Sequence, residues 1–154
     1  MKGELAFVDT NVLLTATDRG RTDHAMARSL FSAAIRAGVH LSISGQVLRE
    51  YLAVATRPVD ANGFGLPLPK ALHNIRGFRA RTVFVEEVEA VTDELLGLLI
   101  STDIAGKRIH DANIAATMGA HNITTLVTAN PGDFQVFPKI HAQPLATFAQ
   151  RLGL

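Results

Sequence analysis

Leu5-Ala6-Phe7-Val8-Asp9-Thr10-Asn11 is a short apolar run that stops at an acid, a hydroxyl and an amide. An apolar run of that length bounded by polar residues suits a strand buried on both faces of a sheet. Working outward, His40–Ile43 predicts a second strand, Thr82–Val85 a third, Ile123–Thr128 a fourth and Ile140–Ala142 a last one. Between them apolar residues recur at helical spacing. Thr22-Asp23 starts a helix carrying Ala27, Leu30, Phe31 and Ala34, which Gly38 ends. Ser44 is placed to cap a helix bearing Val47, Leu48, Tyr51 and Leu52, and Pro58 stops it by removing a donor and restricting Arg57. Further helices are predicted near Lys70–Phe78, Glu87–Ile100 and Ile109–Ala120, with a short one in the tail. The stretch Arg57–Pro69 holds three prolines and two glycines and reads as a loop long enough to border a site. Strands alternating with helices imply an α/β fold, a three-layer α/β/α sandwich with a central parallel sheet. In such sheets reacting groups gather at the carboxyl ends of the strands, where strand order reverses.

At 154 residues the chain has enough material for one sizeable core and too little for two, so residues 1–154 read as a single domain. Its 47% hydrophobic and 19% charged residues describe a globular chain rather than a disordered one. With no cysteine, disulfide frameworks, thiolate metal sites and thiol nucleophiles are excluded, and a reducing cytosol fits. Apolar runs break well before the roughly 20 residues of a membrane span. In the opening stretch from Met1-Lys2 to Asp9, Glu4 and Asp9 interrupt what a signal peptide would need as an apolar core. A cytoplasmic protein, away from membranes, is the expectation. A net charge of +1 leaves no bulk footprint for nucleic acid. Arg19, Arg21, Arg28, Arg36, Arg49 and Arg57 fall early while Glu86, Glu87, Glu89, Asp93 and Glu94 cluster later, a sidedness that a solvated mixed surface also explains.

Asp9 follows the first strand, and Asn130 and Asp133 follow the strand ending at Thr128, so both loops open on one edge of the sheet. Glu50 falls in the helix after the second strand, and Asp111 in the first turn of the Ile109–Ala120 helix. Singly, each has an ordinary account: a turn or cap for Asp9-Thr10-Asn11, a solvated side chain for Glu50, helix-dipole placement for Asp111, loop punctuation for Asp133. Together, at strand ends, they describe a convergent site. Carboxylates held close repel, and each drifts toward its neutral form unless a cation shares the site. Carboxylate and amide oxygens without histidine or thiolate help favour Mg²⁺ or Mn²⁺ over Zn²⁺. One or two such ions suit the attack of water on a phosphodiester.

Phe7-Val8-Asp9-Thr10-Asn11-Val12-Leu13-Leu14, Arg49-Glu50-Tyr51, the segment from His110-Asp111-Ala112-Asn113 to Met118, and the segment from Leu126 through Thr128-Ala129-Asn130-Pro131-Gly132-Asp133 to Phe134 resemble, in this order and over nearly the whole chain, the pattern of PIN-domain ribonucleases. Thr56-Arg57-Pro58 and Asn62-Gly63-Phe64-Gly65-Leu66 resemble a subgroup of VapC-type toxins. The resemblance implies Asp9, Glu50 and Asp111 as the acidic core of a Mg²⁺ or Mn²⁺ site. It places Asn130 at a fourth position where the family often carries aspartate, with Asp133 sharing or replacing the role. Thr10, Asn11 and Thr128 would orient the carboxylates. It further implies an endoribonuclease that cleaves structured RNA such as tRNA or rRNA to inhibit translation, neutralisation by a VapB-type antitoxin, and a homodimer. Arg49, Arg57 and Arg108 are the candidates for phosphate contacts, since guanidinium offers a two-pronged fork. His110 beside Asp111 reads as a structural or RNA-stacking residue rather than a general base.

Two other readings compete. A phosphatase of the haloacid-dehalogenase kind also carries an aspartate after its first strand but needs a second two residues on, where this chain has Asn11. A degenerate PIN domain serving as an RNA- or protein-binding module is favoured by Asn130 and opposed by the intact trio Asp9, Glu50 and Asp111.

Overall fold

The computed structural model describes residues 3–154; Met1 and Lys2, with which the reading of the amino terminus begins, lie outside the described residues. Strand β1 (Glu4–Val8) is the centre of the sheet. It pairs in parallel with β2 (Val39–Ser44) on one side and with β4 (Thr125–Val127) on the other. Strands β3 (Val83–Val85) and β5 (His141–Gln143) extend the two sides, giving the order β3-β2-β1-β4-β5 with every pairing parallel. A strand with a neighbour on each side and helices on both faces has no solvent-facing position, so Ala6, Phe7 and Val8 are continuously apolar and fully buried. The chain winds outward from β1 to β3 and then returns to β4. Strand order therefore reverses between β1 and β4, and a crevice opens at their carboxyl ends.

The covering helices are α1 (Thr10–Thr17), α2 (His24–Arg36), α3 (Gly45–Thr56), α4 (Leu68–Arg79), α5 (Glu89–Ser101), α6 (Arg108–Ala120) and α7 (Leu145–Arg151). The expected three-layer sandwich is present. Helix α2 ends as its sequence predicts, with Gly38 in the left-handed region just beyond the last turn. Helix α1 is an addition: the sequence reading offers a turn or helix cap at Asp9-Thr10-Asn11 but no helix beyond it, since Thr10, Asn11, Thr15 and Thr17 are poor helix formers. Tertiary burial of Val12, Leu13 and Leu14 overrides that propensity, and Asp9 caps the helix by accepting from the Thr10 N–H at 2.7 Å. The Arg57–Pro69 segment is also more regular than its composition suggests. It contains a single 3-10 turn at Val59–Ala61, and Leu68 and Pro69 already belong to α4, where a first-turn proline lacks only a hydrogen-bond donor that the helix does not use.

The side-chain core fixes α3 tightly. Phe78 packs 5.4 Å from both Phe31 and Tyr51, measured between ring centroids. Tyr51 is fully buried with its hydroxyl bonded to Thr17 and Asn74, each at 2.9 Å. Burying an aromatic of this size stabilises by about 2–3 kcal/mol, and its satisfied hydroxyl locks the rotation of the helix that carries the neighbouring Glu50. Among the described residues no helix is long and apolar enough to cross a membrane.

Candidate functional site

Each strand of the central trio delivers its polar residues to the same edge. β1 ends at Asp9, whose backbone N–H bonds to the Val127 carbonyl of β4 at 3.0 Å, so strand pairing itself sets the position of the carboxylate. Asp9 is only 9% exposed and is gripped from three sides. Its Oδ1 accepts from the Thr10 N–H, and its Oδ2 accepts from Asn11 Nδ2 at 3.0 Å and from Thr128 Oγ1 at 2.8 Å. Asn11 also accepts the Ala129 N–H at 2.9 Å, and the Asn130 N–H donates to Thr128 Oγ1 at 3.2 Å, which sews the loop after β4 to the start of α1. Thr10, Asn11 and Thr128 are thus all in contact with the carboxylates or with one another.

Glu50, in the second turn of α3, meets Asp9 through one residue. Thr10 gives its N–H to Asp9 and its hydroxyl to Glu50 Oε2 at 2.8 Å. The other Glu50 oxygen accepts from Gln46 Nε2 at 2.8 Å. Asp111 opens α6 and is held by a single loose contact, Arg108 Nε at 3.8 Å. The Arg108 guanidinium also donates to the Asp133 backbone carbonyl, drawing the 3-10 turn Pro131–Phe134 toward α6.

Burial pushes the Asp9 carboxyl up from its ordinary value of 3.8, and the Glu50 charge adds to that rise against the hydrogen bonds of Thr128, Thr10 and Asn11, which lower it. Asp111 is also raised, by burial first, then by Asp9 and Asp133, with Arg108 pulling down and Glu50 pushing up again. Asp111 therefore lies within the field of Asp9, Asp133 and Glu50, and Asp9 within that of Glu50. Among the described residues no three acidic or histidine side chains yet close around a common point as a ligand set for an ion. The donor chemistry nonetheless fits a hard divalent cation: every group is an oxygen, and the mutual repulsion that raises Asp9 and Asp111 is what such a charge would relieve.

Of the three arginines expected near phosphate, Arg49 extends from α3 and pairs with Glu87 at 3.3 Å, and Arg108 lies beside Asp111. Arg57 closes the far end of α3, about 10 Å along the axis from Glu50, and is turned to the Asn62 carbonyl. The ring of His110 is not drawn into the cluster through any bond; its backbone carbonyl is, accepting from Gln46 Nε2 at 2.9 Å.

Sequence reasoning left out two groups. One is Gln46, Glu87 and Asn113, which stand behind Glu50. The other is a concavity of about 410 Å³ bordered by Arg19, Arg28, Lys70, His73 and Arg81, none of them in an ion pair among the described residues. Both assemble from elements far apart in sequence, and the sequence shows of them only the early run of arginines and the later cluster of acids that includes Glu87.

The sequence matches the PIN domain family over residues 6–139, and the chain belongs to that family. Among curated proteins no sequence matches it. Among solved structures, VapBC2 of Rickettsia felis bound to a fragment of its promoter DNA superposes with a TM-score of 0.70 at 18% identity, covering 91% of this chain and 98% of that one. DNA-bound VapBC of Salmonella typhimurium gives 0.69 at 18% identity, covering 92% and 98%. VapC20 of Mycobacterium tuberculosis, a toxin that cleaves the sarcin–ricin loop, gives 0.59 at 17% identity, covering 80% and 87%. At these identities the likeness is one of fold, and the fold is the one found in VapC structures.

Proposed function

We propose that the chain is a divalent-metal-dependent endoribonuclease, the toxin of a toxin–antitoxin pair, acting in the cytoplasm as a single catalytic domain. One observation carries the reading: at the crevice where strand order reverses, Thr10 joins Asp9 to Glu50, and beyond the effect of burial the Glu50 charge raises Asp9 while those of Asp9, Asp133 and Glu50 raise Asp111. Like charges gathered so closely destabilise the fold unless a cation completes them. Asp9, Glu50 and Asp111 would hold Mg²⁺ or Mn²⁺, with Asp133 or the Asn130 amide at the open side. When bound, the ion supplies a water of lowered pKa and charge for the leaving oxygen.

The chain's own groups do the rest. Asn11 and Thr128 keep Asp9 aimed, Thr10 sets the spacing between Asp9 and Glu50, and Arg108 faces the phosphate from the α6 side. In the reaction a water oxygen bonds to phosphorus while the bond from phosphorus to one ribose oxygen breaks. Arg19, Arg28, Lys70 and Arg81, unpaired among the described residues, begin at the carboxyl end of α1, whose amino end starts at the site, and suit flanking phosphates of a structured RNA such as tRNA or rRNA. The sarcin–ricin-cleaving relative supports RNA as substrate, and the VapBC relatives support an antitoxin of the VapB kind; a homodimer is the form the sequence resemblance implies.

Incubating total tRNA and rRNA with the purified protein, with Mn²⁺ and with EDTA, tests this. Discrete fragments that require Mn²⁺ and vanish with Asp9→Asn are expected. RNA retained but uncut by both proteins would instead mark a binding module.

A further inference from the structure

Helix α3 needs an acceptor at its amino end, and Ser44 does not provide one: its side chain makes no capping bond, and its buried Oγ has no partner. The acceptor comes from across the sheet. Glu87, in the loop between β3 and α5, accepts the Gln46 N–H with Oε2 at 3.1 Å and adds its charge to the positive end of the helix. That loop is pinned on its other side, where His121 Nε2 donates to the Glu86 carbonyl at 2.7 Å. Gly45 eases the approach, because a Cβ there would stand 3.0 Å from both Glu87 Oε2 and Arg49 Nη1, and each would have to give by a few tenths of an ångström.

The same carboxylate starts a second chain of bonds whose direction is fixed. Glu87 Oε1 only accepts, so Asn113 must present its NH₂, at 2.9 Å. The second hydrogen of that NH₂ goes to Gln46 Oε1 at 2.7 Å. Gln46 must therefore turn its own NH₂ the other way, where the His110 carbonyl takes one hydrogen at 2.9 Å and Glu50 Oε1 takes the other at 2.8 Å. Every donor in the chain is used, and neither amide can flip without setting like against like.

Resting on the ribonuclease reading, we propose that Glu87 is a positioning residue of the acidic site, acting through Asn113 and Gln46 to hold the Glu50 carboxylate at the mouth of the crevice. Glutamine at 87 can still accept the Gln46 N–H, but it then offers an NH₂ to the Asn113 NH₂. With the cap kept, relief of that clash requires Asn113 and then Gln46 to flip, which turns Gln46 Oε1 onto Glu50. Glu50 is half-buried and held on that oxygen by Gln46 alone, so it is the member able to move away. Alanine at 87 removes the helix cap but only frees the chain; it does not reverse it.

The two variants should therefore rank in opposite orders. Glu87→Gln is expected to melt close to the wild type and to lose roughly 10-fold or more in kcat on tRNA with Mn²⁺, with KM little changed. Glu87→Ala is expected to melt several degrees lower yet to keep more of its kcat. In ¹⁵N-labelled protein the side-chain amide resonance of Gln46 should move far in Glu87→Gln and little in Glu87→Ala. A residue serving stability alone would make alanine the worse variant in both respects. A Gln46 resonance unmoved by Glu87→Gln, or a kcat for Glu87→Gln equal to or above that of Glu87→Ala, would overturn the proposal. If the wild type itself cleaves no RNA while the Gln46 resonance responds as stated, the ribonuclease reading falls and the directional hold on Glu50 stands.

Discussion

Asp9 and Asp111 are the same side chain, raised in the same direction, in opposite mechanical settings. Asp9 is buried at a strand end and accepts from a backbone amide, an amide side chain and a hydroxyl. Asp111 is part-exposed on the first turn of a helix and touches one guanidinium at 3.8 Å. One wall of the site is rigid and the other adjustable, and the lesson is that a cluster of repelling acids need not be rigid throughout. Hydrogen bonds fix the buried member, while the part-exposed member has a single loose contact.

The largest effect expected from this comparison is on cleavage. Asp9→Asn and Asp111→Asn should each lower kcat by about 1000-fold or more, since each removes a charge worth several kcal/mol in the transition state; initial rates on tRNA fragments measure this. Next comes Thr128→Val, which deletes a donor to the fixed wall. It should cost about 1.5–3 kcal/mol of stability, as for a lost hydrogen bond to a charged group. It should also push Asp9 further up and move the acid limb of the pH–rate profile to higher pH, whereas an unmoved limb would mean the hydroxyl does not serve Asp9.

Stability against pH sharpens the comparison further. An acid whose folded pKa is raised binds its proton more tightly folded than unfolded. Its contribution is therefore present below the ordinary value of 3.8 and is lost as pH rises through the raised folded value. Ionised Asp9 and Asp111 are thus a cost at neutral pH without a cation. Asp111→Asn should raise Tm at pH 7 by a few degrees in EDTA and abolish most of the rise that Mn²⁺ gives the wild type. Asp9→Asn should gain less, because an NH₂ placed at Oδ2 would face the Asn11 NH₂. The smallest effect belongs to Arg108→Ala. It removes an exposed contact worth about 0.5 kcal/mol or less and should leave Tm nearly unchanged while raising Asp111 slightly.

Much of the rigid wall was legible in the sequence, because it is made of neighbours. Strand, acid, hydroxyl and amide follow one another from Phe7 to Asn11, and the apolar run before Thr128 marks the adjoining strand. The parallel sheet and the edge on which Asp9, Glu50 and Asp111 are expected also follow from alternating strands and helices, whereas the strand order comes only from the structure. Helix α1 was hidden because its threonines and asparagine argue against a helix until burial of Val12, Leu13 and Leu14 is known. The expected Ser44 cap gave way to Glu87, which lies 41 residues from the amide it caps, and local pattern carries no trace of such a contact. Glu87 was assigned to the start of a helix that begins only at Glu89. Arg57, a phosphate candidate by its guanidinium, is carried by the length of α3 away from Glu50.

Calorimetric titration of Mn²⁺ into the wild type, Asp9→Asn and Asp111→Asn across mildly acidic to neutral pH tests the account most directly. The account predicts binding to the wild type that weakens as pH falls, as protons compete for the raised carboxyls, and that is lost in both variants. Equal binding by wild type and Asp9→Asn, or no binding by the wild type at neutral pH, would contradict it.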